Sequence, residues 1–122
     1  MKKLPCLRLL YCLLCTTLFL SPLIVYADNN DEINHLLSYI AQSDCTYIRN
    51  GKNYSALEAR DHIASKYESV KWRIKTSEAF IQKIASISSI SGKPYLIRCA
   101  EEEQTTEKWL FIELENYRKR HQ

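Results

Sequence analysis

The chain is short of the residues that most enzyme sites are built from. It holds two glycines, Gly51 and Gly92. Neither has the G-x-x-x-x-G-K spacing of a phosphate-binding loop, and no strand leads into the turn at Gly92. There is no C-x-x-C pair, and the three histidines, His35, His62 and His121, are too scattered to supply a zinc ligand set. No serine is followed three residues later by lysine, which removes the S-x-x-K class of hydrolase. Charge of one sign is also lacking. The formal +3 comes from 17 Lys and Arg against 14 Asp and Glu, and Lys2, Lys3 and Arg8 supply the whole excess. The remainder is neutral and lacks the electrostatic footprint that nucleic-acid binding needs. Neither a metal nor a cofactor is expected, and no internal repeat or low-complexity segment is visible.

What is present begins with an address. Lys2, Lys3 and Arg8 precede an almost wholly apolar run from Leu9 to Val25, and Val25-Tyr26-Ala27 has the small residues that a signal peptidase reads. The expectation is a signal peptide over residues 1–27, cleaved after Ala27, and a single domain over 28–122 with no membrane span left. The rival is an uncleaved anchor, since the run is about the length of a span. Export would place the domain outside the cytoplasm, secreted or in an oxidising envelope compartment. Of five cysteines, Cys6, Cys12 and Cys15 lie in the leader, and Cys45 and Cys99 remain. Two cysteines in an exported domain favour one disulfide. It would close a loop of about fifty residues, which chain entropy values at roughly 4 kcal/mol.

The domain reads as alternating short elements. Asn29-Asn30-Asp31-Glu32 has the form of a capping box, and Ile33, Leu36, Leu37 and Ile40 follow at helical spacing. Cys45 to Arg49 is rich in β-branched and aromatic residues. Asn50-Gly51 then predicts a type I′ hairpin turn into Lys52-Asn53-Tyr54. Ser55-x-x-Glu58 caps a second helix with Ala56, Ala59, Ile63, Tyr67 and Val70 along one side. Trp72 to Lys75 is a connector in which Trp72 is expected to be partly exposed. Thr76 caps a third helix that buries Phe80, Ile81, Ile84, Ala85 and Ile87. A serine-rich turn, Ser88 to Lys93, leads through Pro94 into a strand ending at Cys99. Ala100 to Thr105, with Glu101-Glu102-Glu103, is expected as a solvated acidic loop. The apolar run Trp109-Leu110-Phe111-Ile112 also suits a buried strand. Leu110, Leu114 and Tyr117 hold helical spacing, however, and Arg118-Lys119-Arg120 suit a helix C-terminus, so a last helix opening at Thr106 is the preferred expectation. The fold class is α+β: a small antiparallel sheet of two to three strands packed with about four helices and tied by one disulfide.

Several of these segments together resemble a known group. Tyr47-Ile48-Arg49-Asn50-Gly51, Tyr54-Ser55, Glu58-Ala59, His62 and Lys66 form the first part of the match. Glu78-x-Phe80-Ile81, Ile84-Ala85-Ser86, Ser88-Ser89-Ile90-Ser91-Gly92-Lys93-Pro94-Tyr95, Trp109-Leu110 and Glu113-Leu114 form the rest. The chain resembles the YfeK-like family of small exported bacterial proteins. That resemblance implies a periplasmic domain of unknown function and a C-terminal helix, and it carries over no catalytic residue.

Two surfaces carry candidate chemistry. In the serine turn, Ser88, Ser89 and Ser91 stand beside Lys93, where backbone N–H groups and an ammonium can hold an anion. The plainer reading is that these hydroxyls satisfy the free ends of the preceding helix. Across the NG hairpin, Arg49 and Asn50 can meet His62 and Lys66, and a guanidinium, an imidazole and an ammonium together suit a carboxylate or phosphate. The plainer reading has His62 capping the core edge while Arg49 and Lys66 pair with Asp61 or Glu58. His35 and His121 sit in other elements and give no reason to expect convergence. The tyrosines and tryptophans are expected mainly as core. The functional expectation is a non-enzymatic binding or interaction domain of the cell envelope, its partner an envelope protein or a small anionic ligand. The alternative is an enzyme or enzyme accessory acting on cell-wall material through His62 and a turn serine.

Overall fold

The computed structural model describes Ser21 and residues 28–122. The expected leader, its cleavage point and Cys6, Cys12 and Cys15 lie outside the described residues. Among the described residues no helix is long and apolar enough to cross a membrane.

The elements run α1 (Asn29–Ala41), β1 (Thr46–Arg49), β2 (Lys52–Tyr54), α2 (Ala56–Val70), a 3-10 turn (Lys71–Arg73), α3 (Ser77–Phe80) continuing as a π-helical stretch (Ile81–Ala85), β3 (Leu96–Cys99), β4 (Glu102–Thr105) and α4 (Thr106–Arg120). The α+β class and the single disulfide are as expected. The sheet, however, has four strands in the order β2-β1-β3-β4, all antiparallel, not two to three. The extra strand is the stretch expected as an acidic loop. Ala100 and Glu101 make a two-residue turn, and Cys99 pairs with Glu102 to start β4. Only the first turn residue, Ala100, has positive φ, at 56°. That is the pattern in which hairpins prefer glycine, so the usual sign of a turn is missing. The three glutamates are then an edge-strand device: their charge discourages further strand pairing, and Glu103 meets Arg98 across the ladder at 2.9 Å.

The NG hairpin forms as its sequence demands. Asn50 and Gly51 take φ of 50° and 77°, and Arg49 pairs with Lys52. Strand alternation puts Tyr47 and Ile97, cross-strand partners, into the core. Ile48 and Leu96 face the other side and are only half-buried. The same alternation aims Cys45 and Cys99 at each other. They form the expected disulfide with a Cα–Cα distance of 4.5 Å, the spacing of a non-hydrogen-bonded antiparallel pair.

Helices α1, α2 and α4 and the α3–π segment close over the inner face. The core runs from Ile33, Leu36 and Ile40 through Ile63, Phe80 and Ile81 to Leu110 and Leu114. Ser55 and Glu58 complete the expected capping box, and Thr76 caps α3 through Ala79. The first helix departs from expectation. Asp28, not Asn29, stands at its start without a side-chain cap. Glu32 turns inward, 3% exposed, where it accepts from Ser77 Oγ at 2.8 Å and from two nitrogens of Arg118 at 2.6 and 3.0 Å. Arg118 also reaches Glu78 at 2.6 Å. Its guanidinium beside both carboxyls holds them below the usual carboxylate range. The ion pair clamps the end of α4 to α1 and α3, a long-range role in place of a local cap.

Two stability predictions arise here. Cys45→Ala and Cys99→Ala should each cost about 4 kcal/mol. In thermal melts followed by circular dichroism, each should lower the melting temperature by on the order of 20 °C, with no added loss on reduction. Ala100→Gly should stabilise by roughly 0.5–1 kcal/mol, because it relieves a left-handed alanine at an exposed turn. An unchanged or lower urea midpoint would count against that account of the turn.

Candidate functional site

The hairpin β1–β2 packs across the N-terminal half of α2 and leaves a cavity of about 340 Å³ between them. Tyr47, Tyr54 and Tyr95 with Ile48, Ala59 and Ile63 form much of its wall, and Arg49, Glu58, Asp61 and His62 bring the charge and the imidazole. Strand alternation puts Arg49 on the same face as Tyr47. His62 stands one residue before buried Ile63, at the edge of the helix's apolar stripe.

Tyr95 organises the polar groups. Its backbone is tied at both ends: its N–H donates to Ser86 O at 2.8 Å, and its carbonyl accepts from Thr106 N–H at 2.9 Å. Its hydroxyl accepts from Lys66 Nζ at 3.1 Å and lies 3.3 Å from His62 Nε2. Lys66 Nζ also donates to Ile84 O at 2.9 Å and Ile87 O at 2.8 Å. Ile84 lies in the last turn of the π-helical stretch and Ile87 two residues beyond its end, where the chain turns toward the bridge with Pro94. All three ammonium donors are thereby used, which leaves the Tyr95 hydroxyl hydrogen free to donate to a neutral His62. Burial, with the Arg49 charge second, pulls Lys66 down to about 8. His62 is pushed below its ordinary value by burial first, then by Arg49 and Lys66. Burial raises Tyr95.

The structure therefore brings Arg49, His62 and Lys66 to one place, as the sequence suggested, but around a phenol. Their expected acidic partners are engaged elsewhere. Glu58 accepts from the Ser55 N–H in the cap at 2.8 Å, and Asp61 pairs with Arg60 at 2.7 Å. Arg49 donates to Tyr54 OH at 3.0 Å and lies over the Tyr54 ring at 4.5 Å. Among the described residues it forms no ion pair.

The serine turn takes the plainer role. Ser88 Oγ accepts from Asn50 Nδ2 at 3.2 Å and from the Ser91 N–H at 3.3 Å. Ser91 Oγ donates to Asn50 Oδ1 at 2.6 Å and accepts from the Lys93 N–H at 3.2 Å. Asn50 thus fastens the hairpin tip to the turn, and neither Ser88 nor Ser91 meets His62. Ser89 and Lys93 are exposed and apart from the cavity. His35 and His121 do not reach His62; each packs on Tyr117, with ring centroids at 4.3 and 4.1 Å, and His35 Nε2 lies 2.7 Å from Glu113. Tyr95 was visible in the sequence only as a core aromatic. Nothing local marks its hydroxyl as the junction of two helical residues. No group of His, Cys, Asp and Glu among the described residues could hold a metal ion.

The fold and site define a small α+β domain built on a disulfide-tied four-stranded sheet, with a tyrosine-walled cavity bearing Arg49, Glu58, Asp61 and His62 between the hairpin and α2. The model of the family of unknown function DUF5329 matches residues 27–118, and the chain belongs to that family. Over 72 residues it is 44% identical to the uncharacterized protein YfeK of Salmonella typhimurium, covering 58% of this chain and 60% of that protein's length. No solved structure matches.

The depressed His62 value has a pH consequence. Between its ordinary value of 6.5 and its lower folded value, the unfolded chain binds more protons than the folded one. Stability is then fully present above 6.5 and falls as pH drops through that window. Urea midpoints should decline from pH 7.5 to 5.5, above the range where carboxylates titrate, and His62→Gln should flatten the decline. Equal slopes in wild type and variant would contradict the assignment.

Proposed function

We propose that the protein is a non-enzymatic binding domain of the bacterial cell envelope whose hairpin–α2 cavity takes a small anionic ligand with an apolar body. The observation that carries this is Arg49, a guanidinium without a carboxylate partner among the described residues, at an aromatic cavity of about 340 Å³. Mostly apolar walls with a few convergent polar groups are the usual make-up of a small-molecule site. Arg49 spends one donor on Tyr54 OH and keeps a planar fork for a carboxylate or phosphate. His62 offers an uncharged edge beside it, and the tyrosine faces cover an apolar or aromatic body. The disulfide and the leader-like N-terminus support an oxidising compartment outside the cytoplasm. Cell-wall chemistry through His62 would need a nucleophile at hydrogen-bond distance; the neighbour it has is the Tyr95 hydroxyl, which burial keeps protonated.

Binding can be followed by NMR titration with benzoate and phenyl phosphate, using benzyl alcohol as the uncharged control. The anions should saturate and shift Arg49, Tyr54, His62 and Tyr95. Arg49→Ala should weaken them by roughly tenfold or more, the worth of a charged hydrogen bond. Shifts scattered over the surface, or anions held no better than the alcohol, would refute the reading.

A further inference from the structure

A second depression lies toward the C-terminal end of α2, apart from the tyrosine cavity at its N-terminal half. It has a volume of about 340 Å³ and is lined by Lys66, Ser69, Val70, Arg73, Ile74, Lys83, Ile84 and Ser89. Its lining includes three basic side chains and no carboxylate. Among the described residues neither Arg73 nor Lys83 forms an ion pair, and both are exposed. Lys66 adds fixed positive charge from behind, its ammonium held by the carbonyls of Ile84 and Ile87.

The rim is equally one-sided. Trp72, next in sequence to Arg73, is 73% exposed, and Ile90, next to Ser89, is 96% exposed. They are two of only four exposed large hydrophobic residues described, and each follows or precedes a lining residue of this one depression. The Arg73 guanidinium sits over the Trp72 ring at 5.4 Å. That presents charge and an aromatic face together, and it leaves the indole projecting rather than folded into the core.

We propose that this face docks on an anionic membrane surface: the phosphate of a lipid headgroup enters between Arg73 and Lys83 while Trp72 and Ile90 enter the interfacial layer. The pairing of chemistries selects this occupant. A cationic pocket alone would suit any phosphate, but free phosphate gives no reason for two bare apolar side chains next in sequence to its lining residues. Tryptophan favours the headgroup level of a bilayer, and basic residues are drawn to anionic leaflets. The two contributions add, as lasting surface attachment by weak anchors requires. The 3-10 turn at Lys71–Arg73 and the exposed turn at Ser89–Ile90 put both anchors on protruding loops, where they can enter a surface without unpacking the core.

The test is co-sedimentation and tryptophan fluorescence with vesicles of phosphatidylcholine containing about 30% phosphatidylglycerol, against phosphatidylcholine alone. The protein is expressed as the full chain and taken in the form the cell exports, its N-terminus identified by mass spectrometry. Wild type should bind the anionic vesicles and not the neutral ones, with a blue shift from Trp72. Trp109 is already buried and should contribute little change. Arg73→Gln with Lys83→Gln should weaken binding by roughly 20- to 30-fold. Trp72→Ala with Ile90→Ser should weaken it by roughly tenfold or more. All four side chains are exposed, so circular dichroism should show intact folding. Equal binding to neutral vesicles, no vesicle binding, or either double variant binding as wild type would overturn the proposal. Saturation by inorganic phosphate without any affinity for vesicles would overturn it too, leaving a free-anion site.

Discussion

The pairing of β1 with β3 is the constraint from which the rest of the molecule is positioned. These two central strands are separated by most of the domain, with β2, α2, α3 and the serine turn inserted between them. Bringing them together closes a long loop, whose entropy must be met before any contact is gained. The Cys45–Cys99 bond meets it covalently, and it does so at the end of the ladder where Thr46 pairs with Arg98. Once that register is set, a one-residue slip would turn Tyr47 and Ile97 out of the core together. Each central strand then carries its own hairpin outward, β2 through Asn50-Gly51 and β4 through Ala100-Glu101. The sheet is thus two hairpins joined back to back along one seam.

The seam also places the site. Tyr95 immediately precedes β3, so the alignment that opposes Cys45 to Cys99 brings Tyr95 toward the hairpin end of β1, beside Arg49. What Tyr95 then meets follows from an irregularity in the helix before it. The α3 segment loosens into a π-helical stretch and stops with carbonyls facing the interior. A buried carbonyl without a donor is costly, and Lys66 supplies donors to two of them. The ammonium is therefore held first by structure, and its position next to Tyr95 OH is a by-product of that duty. A Lys66 replacement would loosen the helix end before it changed any binding property. That separates Lys66 from Arg49, whose fork carries no such structural task.

Legibility in the sequence tracked the range of the interaction. Features fixed by neighbours a few residues apart could be read directly: the Asn50-Gly51 turn, the Ser55 and Glu58 box, the cap at Thr76, the apolar stripe of α2. The disulfide was legible because only two of the five cysteines lie outside the expected leader. Glu32 was misread because its spacing from Asn29 imitates a cap, while its real partner, Arg118, lies 86 positions away. β4 was missed because alanine occupies the turn position where glycine would have announced a hairpin, and because three consecutive glutamates resemble a solvated loop until an edge needs protecting. At the site, Arg49, His62 and Lys66 could be grouped from a hairpin packing on a helix. The hub could not, since a tyrosine in a row of core residues gives no sign of where its hydroxyl ends.

Charge in this domain is balanced in number but sorted in space. The acids are committed: Glu32, Glu78 and Glu113 hold α4 through Arg118, Arg120 and His35, Glu58 closes a cap, and Glu101 to Glu103 guard an edge. Among the described residues the cations outside ion pairs include Arg49 at the N-terminal half of α2 and Arg73 with Lys83 toward its C-terminal end, with Lys66 between, besides Lys52, Lys75, Lys93 and Lys108 elsewhere. Like charges so placed work against folding. Burial first, and the Arg49 charge after it, lower the affinity of both His62 and Lys66 for a proton. Unneutralised charge beside a cavity is the physical condition for capturing an anion. The depression at Arg73 and Lys83 has no carboxylate in its lining, whereas at the tyrosine cavity Arg49 shares the wall with Glu58 and Asp61, each of which is engaged with another donor.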